Sequence, residues 1–291
     1  MSAPSDPRLS PIAGQWYPGD ARTLAATVDG YLAAAGPAAL DGAVVALVAP
    51  HAGHRYSGPV AGHAFAVARG LAPELVAVVG PMHAPARGAV LTSAHDAYET
   101  PLGAVPVDAD ARRALDDGLR GELGAGLRPL RSDDEHSVEI ELPFLQRALA
   151  GAWRLLPVMV RDQRREVARA LGNALAAVVR GRTALLVAST DLSHDHHRAR
   201  AHQLDRELLR RVEAFDPDAV LAAGDEGVGE ACGIGALAAV LWAARALGGD
   251  RVRVLDYATS ADTSGDDARV VGYAAAVVTR PASRLDPSPR G

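Results

Sequence analysis

In the segment TALLVASTDLSHDHH, residues 183–197, an apolar run changes abruptly into a polar, histidine-rich loop. The run at 183–188 has the length and composition of a β-strand that is buried on both faces. Five similar runs lie at residues 43–48, 75–79, 155–160, 251–255 and 270–278, and helix-length stretches lie at 21–35, 59–69, 132–150, 165–179, 198–214 and 233–247. This alternation predicts a single α/β domain with three layers, in which helices cover both faces of a central mixed sheet.

The composition limits the possible functions. The chain of 291 residues is long enough to bury one large core. Its formal net charge is -5, from 30 basic and 35 acidic residues that are mixed along the chain, so we expect neither a nucleic-acid partner nor a membrane surface. The single cysteine excludes an intrachain disulfide.

The absence of a signal-peptide pattern and of an apolar run of about 20 residues predicts a cytoplasmic protein without a transmembrane segment. Residues 1–10 and 281–291 lack periodicity and are expected to be flexible tails, which leaves 11–280 as the domain.

Polar side chains follow three of the predicted strands at the point where each strand ends. His51 and His83 each come just after an apolar run, and Asp191 and His194 occupy the same place after the run at 183–188. Because ligands of open α/β sheets bind at the carboxyl ends of the strands, we expect these three loops to converge on one site.

Cys232 is a candidate fourth member of this site. It lies just before the helix predicted at 233–247, where the unpaired amides and the helix dipole favour a thiolate. Each candidate also has a purely structural interpretation, since a histidine in an Ala/Gly-rich loop or a lone cysteine often serves only in packing. The spacing of the candidates matches no short metal motif, so the hypothesis depends on their shared position in the predicted sheet.

Seven short motifs occur in an order that is specific, although each motif alone is weak. They are AGQWYP at 13–18, APHAGHRYSG at 49–58, GPMH at 80–83, YETPLG at 98–103, DEHSVEIELPFLQ at 134–146, STDLSH at 189–194 and CGIGAL at 232–237. In this order they resemble the Memo-like family, which includes the animal mediator of cell motility and the bacterial and archaeal AmmeMemoRadiSam system protein B. The resemblance covers roughly residues 10–280.

The resemblance implies a fold similar to that of the class III extradiol dioxygenases and a site for iron or copper. His51, His83 and Cys232 are the implied metal ligands, His194 is the implied catalytic base, and Asp191 is expected to orient it. Two imidazoles and one anionic ligand, with positions open for substrate and O2, are typical of non-haem Fe(II), which we therefore expect first. A thiolate is softer than a carboxylate, so copper is the second expectation and zinc the third.

Further residues are candidates for the surroundings of the metal. Trp16 and Tyr56 are expected to form the pocket wall, although aromatic residues often serve only in packing. Glu135 completes a capping-box pattern, Ser132-x-x-Glu135, and lies close in sequence to His136 and Glu139. These three residues are expected either to orient a metal ligand or to form the solvated start of a capped helix.

Three functions are compatible with these residues. A dioxygenase-like oxidoreductase would bind a small-molecule diol on the metal. A non-catalytic binding protein would hold a modified peptide in the same cleft, since animal members of the family resemble adaptors for phosphotyrosine peptides. Microbial members are associated with a radical-SAM enzyme and an AMMECR1-like protein, which are the expected protein partners. The third function is the handling of iron or copper without turnover.

Overall fold

The computed structural model describes residues 6–281 of the chain. Its strands are β1 (Pro7–Arg8), β2 (Ala43–Ala49), β3 (Leu75–Pro81), β4 (Val90–Ser93), β5 (Ala97–Thr100), β6 (Gly103–Pro106), β7 (Arg128–Leu130), β8 (Arg154–Val160), β9 (Ala184–Ser189), β10 (His194–His196), β11 (Arg251–Thr259) and β12 (Val270–Arg280). Its α-helices are α1 (Ala21–Ala35), α2 (His54–Ala66), α3 (Ala109–Leu123), α4 (Leu142–Ala148), α5 (Arg165–Val179), α6 (Arg198–Glu213), α7 (Pro217–Asp225), α8 (Ile234–Ala246) and α9 (Ala261–Ser264). No helix within residues 6–281 is both long and apolar enough to cross a membrane.

The central sheet is mixed, as predicted. Its strands follow the order β10-β12-β2-β9-β3-β8-β4-β7, and β11 pairs with β12. Strands β2, β9, β3 and β8 are parallel neighbours, whereas β12 is antiparallel to β2 and β4 is antiparallel to β8. All six apolar runs identified in the sequence are strands of this sheet. The prediction of a single α/β domain is therefore confirmed.

Both faces of the sheet are buried, which explains why the strands are continuous apolar runs rather than alternating ones. In β3, Val76 and Val78 belong to one hydrophobic cluster, and Ala77 and Val79 belong to another on the opposite face. Helices α1, α2 and α4 cover the first face, and α3, α5 and α8 cover the second. This arrangement gives the three predicted layers.

The helix predicted at 132–150 is wrong in part, and helices α3, α7 and α9 are absent from the prediction. The stretch 132–150 is not one helix, because its first half is irregular up to a 3₁₀ turn at Glu139–Glu141 and the α-helix begins only at Leu142. Helix α3 is absent from the sequence-based prediction, since it buries only Ala111, Leu115 and Leu119 in an otherwise charged stretch. An apolar stripe of three residues is a weak signal at helical spacing.

Residues 6–10 belong to the fold, so the boundary predicted at residue 11 is too late. Strand β1 pairs in parallel with β5, and Arg8 at its end is only 4% exposed. The Arg8 guanidinium lies 2.6 Å from Glu139 Oε2 and 2.8 Å from Asp133 Oδ1. These contacts fix the segment, because a buried cation is tolerated only when it is paired. The rest of the predicted tails, 1–5 and 282–291, lies outside the described residues.

The Arg8→Ala substitution is expected to lower the free energy of unfolding by about 3–5 kcal/mol, because it leaves two buried carboxylates without their cation. The shift of the urea midpoint, at unchanged slope, measures this effect. Arg113→Ala is the matched control, since Arg113 pairs with Asp110 on the exposed face of α3. Its expected effect is below about 1 kcal/mol. Equal effects of the two substitutions would contradict the structural role of Arg8.

Candidate metal centre

The candidate site lies where three neighbouring parallel strands end. Strand β9 lies between β2 and β3 in the sheet. His51 follows the end of β2 by two residues, His83 follows β3 by two, and Asp191 follows β9 by two. The loops therefore leave the sheet side by side, and the three side chains share one cavity with a volume of about 490 Å³. This is the position at which open α/β sheets bind their ligands.

Most of the candidate site residues that were identified from the sequence line this cavity. His51, His83, Asp191 and His194 line it together with His136, Trp16 and Tyr56. The ring of Trp16 packs on the ring of His136 with 4.1 Å between their centroids. Tyr56 is 40% exposed and also lines the cavity. Two aromatic side chains thus form part of the wall of the cavity.

Three histidines form a compact group inside the cavity. His51, His83 and His136 each offer one nitrogen, and these nitrogens all lie within 4.8 Å of one another. The rings of His83 and His136 are stacked with 4.7 Å between centroids, and His51 meets both edge-on at 5.3 Å. His136, which is expected from the sequence to lie in the surroundings of the metal, belongs to the group itself. The assignment of ligand roles stays a prediction.

The group can hold a metal ion. Bonds from imidazole nitrogen to a metal are about 2.1 Å long, so two ligands of one ion are at most about 4.2 Å apart. A side-chain adjustment of about half an ångström therefore brings the three nitrogens into range. The orientation of the rings also fits: His51 Nδ1 lies 2.9 Å from Ser189 Oγ, and His83 Nδ1 lies 2.9 Å from Glu135 Oε1. With Nδ1 engaged in this way, Nε2 is the nitrogen left to bind an ion.

The protonation of the group also suits a cation. Burial, reinforced by the neighbouring histidines, lowers the pKa of His51 well below its usual value. Burial likewise lowers the pKa of His136, to about 4. Burial opposes a charge on His83 too, but the hydrogen bond and charge of Glu135 outweigh it and raise the pKa of His83. Two of the three imidazoles are thus neutral at pH 7, which is the form that binds metals.

Glu135 supports His83 as a carboxylate. Its burial favours the neutral acid, yet hydrogen bonds from the Nδ1 and backbone N–H of His83 and from the N–H of Ser137 lower its pKa to about 2. A fourth bond comes from the N–H of His136. Glu135 therefore orients a candidate metal ligand, which is one of the two roles expected from the sequence. It does not form the solvated start of a capped helix, which is the other. Glu139, in contrast, pairs with Arg8 and accepts a hydrogen bond from the hydroxyl group of Tyr17. Within residues 6–281 it makes no hydrogen bond or ion pair with the histidine group.

The structure corrects the expected contact between Asp191 and His194. Asp191 Oδ1 instead accepts hydrogen bonds from the backbone N–H of His51 at 2.8 Å and of Ala52 at 3.3 Å. His194 Nδ1 lies 2.9 Å from the carbonyl oxygen of Leu192. Because a carbonyl only accepts, Nδ1 carries the proton and Nε2 is the basic nitrogen. Asp191 thus positions the loop that holds His51, and His194 is oriented by its own backbone.

Burial sets the charge states of these two residues. It raises the pKa of Asp191 to about 7, against the hydrogen bonds from His51 and Ala52. It lowers the pKa of His194, against the hydrogen bond to Leu192. His194 is therefore a neutral imidazole at pH 7 and is able to accept a proton.

A β-bulge brings His194 to the cavity. Strand β10 pairs with β12, and the register shifts between His194 and His196. The intervening residue, Asp195, has φ 63°, in the left-handed region. Such a bulge changes the direction of neighbouring side chains. His194 consequently lines the cavity, while His196 pairs with Glu230 at 2.9 Å.

Cys232 lies beside the histidine group, with Sγ 3.1 Å from His51 Nε2. It immediately precedes α8 and its Gly233 N-cap, as predicted. The expected activation of the thiol by the helix is wrong, because burial and then the charge of Asp191 raise its pKa to about 12. A thiolate at this position therefore requires the positive charge of a nearby cation.

These features define a three-layer α/β protein with a histidine group, suited to one metal ion, at the carboxyl edge of its sheet. A family profile described as "Memo-like protein" matches residues 8–277. The chain belongs to the Memo-like family.

Similar proteins support this assignment. A MEMO1 family protein of Methanopyrus kandleri is 35% identical over 294 residues, which covers 94% of this chain and 99% of the relative. A MEMO1 family protein of Nitrosopumilus maritimus is 33% identical, with 91% of this chain and 96% of the relative covered. One from Thermotoga neapolitana is 37% identical, with 84% and 88% covered. The family resemblance inferred from the seven motifs is therefore confirmed.

Proposed function

We propose that this protein is a non-haem iron or copper redox protein that binds a small-molecule diol in the histidine-lined cavity and reacts it with O2. The observation that carries the proposal is the joint presence in one cavity of three clustered imidazoles and a fourth, neutral imidazole outside their group. The first three would hold the ion, and the fourth, His194, would act as the base, since burial lowers its pKa and leaves it neutral at pH 7.

The bound ion would supply a Lewis acid and a site for O2. The chain's own residues supply the other requirements of the reaction. His194 Nε2 takes a proton from a hydroxyl group of the diol, because its Nδ1 is already committed to the Leu192 carbonyl. Trp16 and Tyr56 offer aromatic surfaces to a planar substrate. A cavity of about 490 Å³ suits a ligand of this size.

Iron(II) is the metal we propose first, because histidine ligands that leave positions open for substrate and O2 would resemble those of non-haem iron sites. Copper is the second choice, since Cys232 lies close enough to His51 to add a soft ligand. Zinc is the least favoured, because it has no redox chemistry.

The proposal extends to the fold relationship and to the partners. A similarity to the class III extradiol dioxygenases is consistent with the mixed sheet and with the position of the histidines at its carboxyl edge. A radical-SAM enzyme and an AMMECR1-like protein are the proposed protein partners, on the basis of the motif resemblance.

The test is to purify the protein anaerobically without a metal-affinity tag, quantify Fe, Cu and Zn, and then measure O2 uptake with a panel of diols. We expect about one iron or copper per chain and O2 uptake with at least one diol. Bound metal without O2 uptake would instead indicate metal handling. No metal after reconstitution with Fe(II) or Cu(I) would overturn the redox proposal and leave the cavity as a binding site for a peptide or a protein partner.

A further inference from the structure

A second buried carboxyl lies behind the histidine group and differs from Glu135 in its surroundings. Glu141 is 0% exposed and lies next to Ser189, which is also fully buried. Ser189 Oγ has three close polar neighbours: Ser137 O at 2.6 Å, Glu141 Oε1 at 2.8 Å and His51 Nδ1 at 2.9 Å. Glu141 is thus connected to His51 through a single hydroxyl group.

The number of hydrogens available to Ser189 decides the protonation of Glu141. A serine hydroxyl has one hydrogen to donate and can accept two hydrogen bonds. The carbonyl of Ser137 cannot donate, so the contact at 2.6 Å uses the only hydroxyl hydrogen. The other two neighbours must then be donors, which requires a proton on Glu141 Oε1 and a proton on His51 Nδ1. A carboxylate at Glu141 would compete with Ser137 for the same hydrogen and leave two acceptors facing each other.

The environment of Glu141 supports the neutral form. Within residues 6–281, Glu141 makes no ion pair, whereas Glu135 pairs with His83 and Glu139 pairs with Arg8. Its second oxygen, Oε2, has no hydrogen-bond partner among these residues. An unpartnered buried oxygen costs less on a neutral acid than on a charged carboxylate. Burial also raises the pKa of Glu141 well above its usual value, against the hydrogen bond to Ser189.

We infer that Glu141 is a positioning residue that stays protonated in the folded protein and, through Ser189, holds the proton of His51 on Nδ1. The lone pair of His51 then lies on Nε2, the nitrogen next to Cys232. The two supporting carboxyls consequently have opposite charge states: an anion behind His83 and a neutral acid behind His51. The benefit to a bound ion rests on the proposed metal function, whereas the proton positions follow from the contacts around Ser189.

The same chemical change at the two carboxyls separates their roles. Glu135→Gln removes a negative charge next to His83, and we expect Fe(II) affinity to fall about 10- to 100-fold. Glu141→Gln replaces a neutral acid by a neutral amide that still donates to Ser189, so Fe(II) affinity is expected to stay unchanged within error. Anaerobic Fe(II) titration of both variants measures the difference. A tenfold loss in Glu141→Gln would overturn the inference, because it would mean that Glu141 is an anion.

Infrared spectroscopy of the chelator-treated protein tests the proton without any metal or activity. The difference between the parent protein and Glu141→Gln at pH 7 is expected to contain the C=O band of a protonated carboxyl, shifted in D2O. Absence of this band would overturn the inference even if no metal ever binds, so this result is distinct from failure of the proposed function.

If Glu141→Gln does not fold, Ser189→Ala replaces it. Loss of the Ser189 acceptor is expected to shift the same band, and an unchanged carboxyl spectrum in this variant would overturn the inference.

The tautomer of His51 provides the last readout. Long-range ¹H–¹⁵N correlation spectra of the metal-free protein are expected to show the proton of His51 on Nδ1, and to show a mixture of tautomers in Ser189→Ala. A proton on Nε2 in the parent protein would contradict the arrangement around Ser189.

Discussion

The His51→Ala variant is expected to purify without metal, under conditions in which the parent protein carries about one ion per chain. His51 is central to the group, because its ring meets both other histidines and its Nε2 lies 3.1 Å from Cys232 Sγ. Loss of a residue that merely orients a ligand costs about 10- to 100-fold in affinity, so loss of the ligand itself is expected to cost more than about 100-fold. Metal analysis after anaerobic purification, followed by Fe(II) titration, measures the effect.

His63→Ala is the matched control for this prediction. His63 is also a histidine near the start of the chain, but it lies on α2, 3.8 Å from Asp256, and does not line the cavity. The control is expected to keep its metal. Full metal content in His51→Ala, or equal losses in the two variants, would show that the ion binds elsewhere.

A second pair of variants identifies the third metal ligand beside His51 and His83. The family resemblance favours Cys232, whereas the distances between nitrogens favour His136. If Cys232→Ser loses the metal and His136→Ala keeps it, the thiolate is the ligand and His136 belongs to the pocket wall. The reverse result would assign a site with three histidines, and losses in both variants would indicate four ligands.

The sequence predicts the sheet well because its strands are buried on both faces. A strand such as β3 consists only of apolar residues and glycine or proline, and this signal does not depend on any distant contact. The order of strands and loops then places His51, His83 and Asp191 at one edge of the sheet, as the structure has them. Topology therefore carries the coarse position of the site.

The sequence does not reveal what the buried carboxylates do. Glu135 fits a capping-box pattern, but its true partners are the side chain and backbone of His83, 52 residues earlier in the chain. Arg8, which pairs with Glu139, is 131 residues away from it. Such long-range pairing turns a polar stretch into a buried one, and no local periodicity encodes it. The same holds for Glu141, whose only signal is its place in the DEHSVEIELPFLQ motif.

The His194→Ala variant is expected to retain its metal and to lose turnover of the diol by about 100- to 10,000-fold, the usual contribution of a general base. His194 lies outside the compact group of three histidines, so its removal leaves the proposed ligands intact. O2 uptake and metal content, measured on the same preparation, separate the two effects. His196→Ala is the control, because His196 lies two residues away on the same strand and pairs with Glu230 instead of lining the cavity. Loss of metal in His194→Ala would make His194 a ligand and not a base.

The pH dependence of the parent protein tests the same role. Burial lowers the pKa of His194 below its usual value of 6.5, despite the hydrogen bond to the Leu192 carbonyl. A base acts only when it is unprotonated, so kcat/KM is expected to fall as the pH drops through this lowered pKa, with the midpoint of the acid limb below pH 6.5. An acid limb with its midpoint above pH 6.5 would contradict the assignment, because it would require the base to be a residue whose pKa is raised, such as His83 or Asp191.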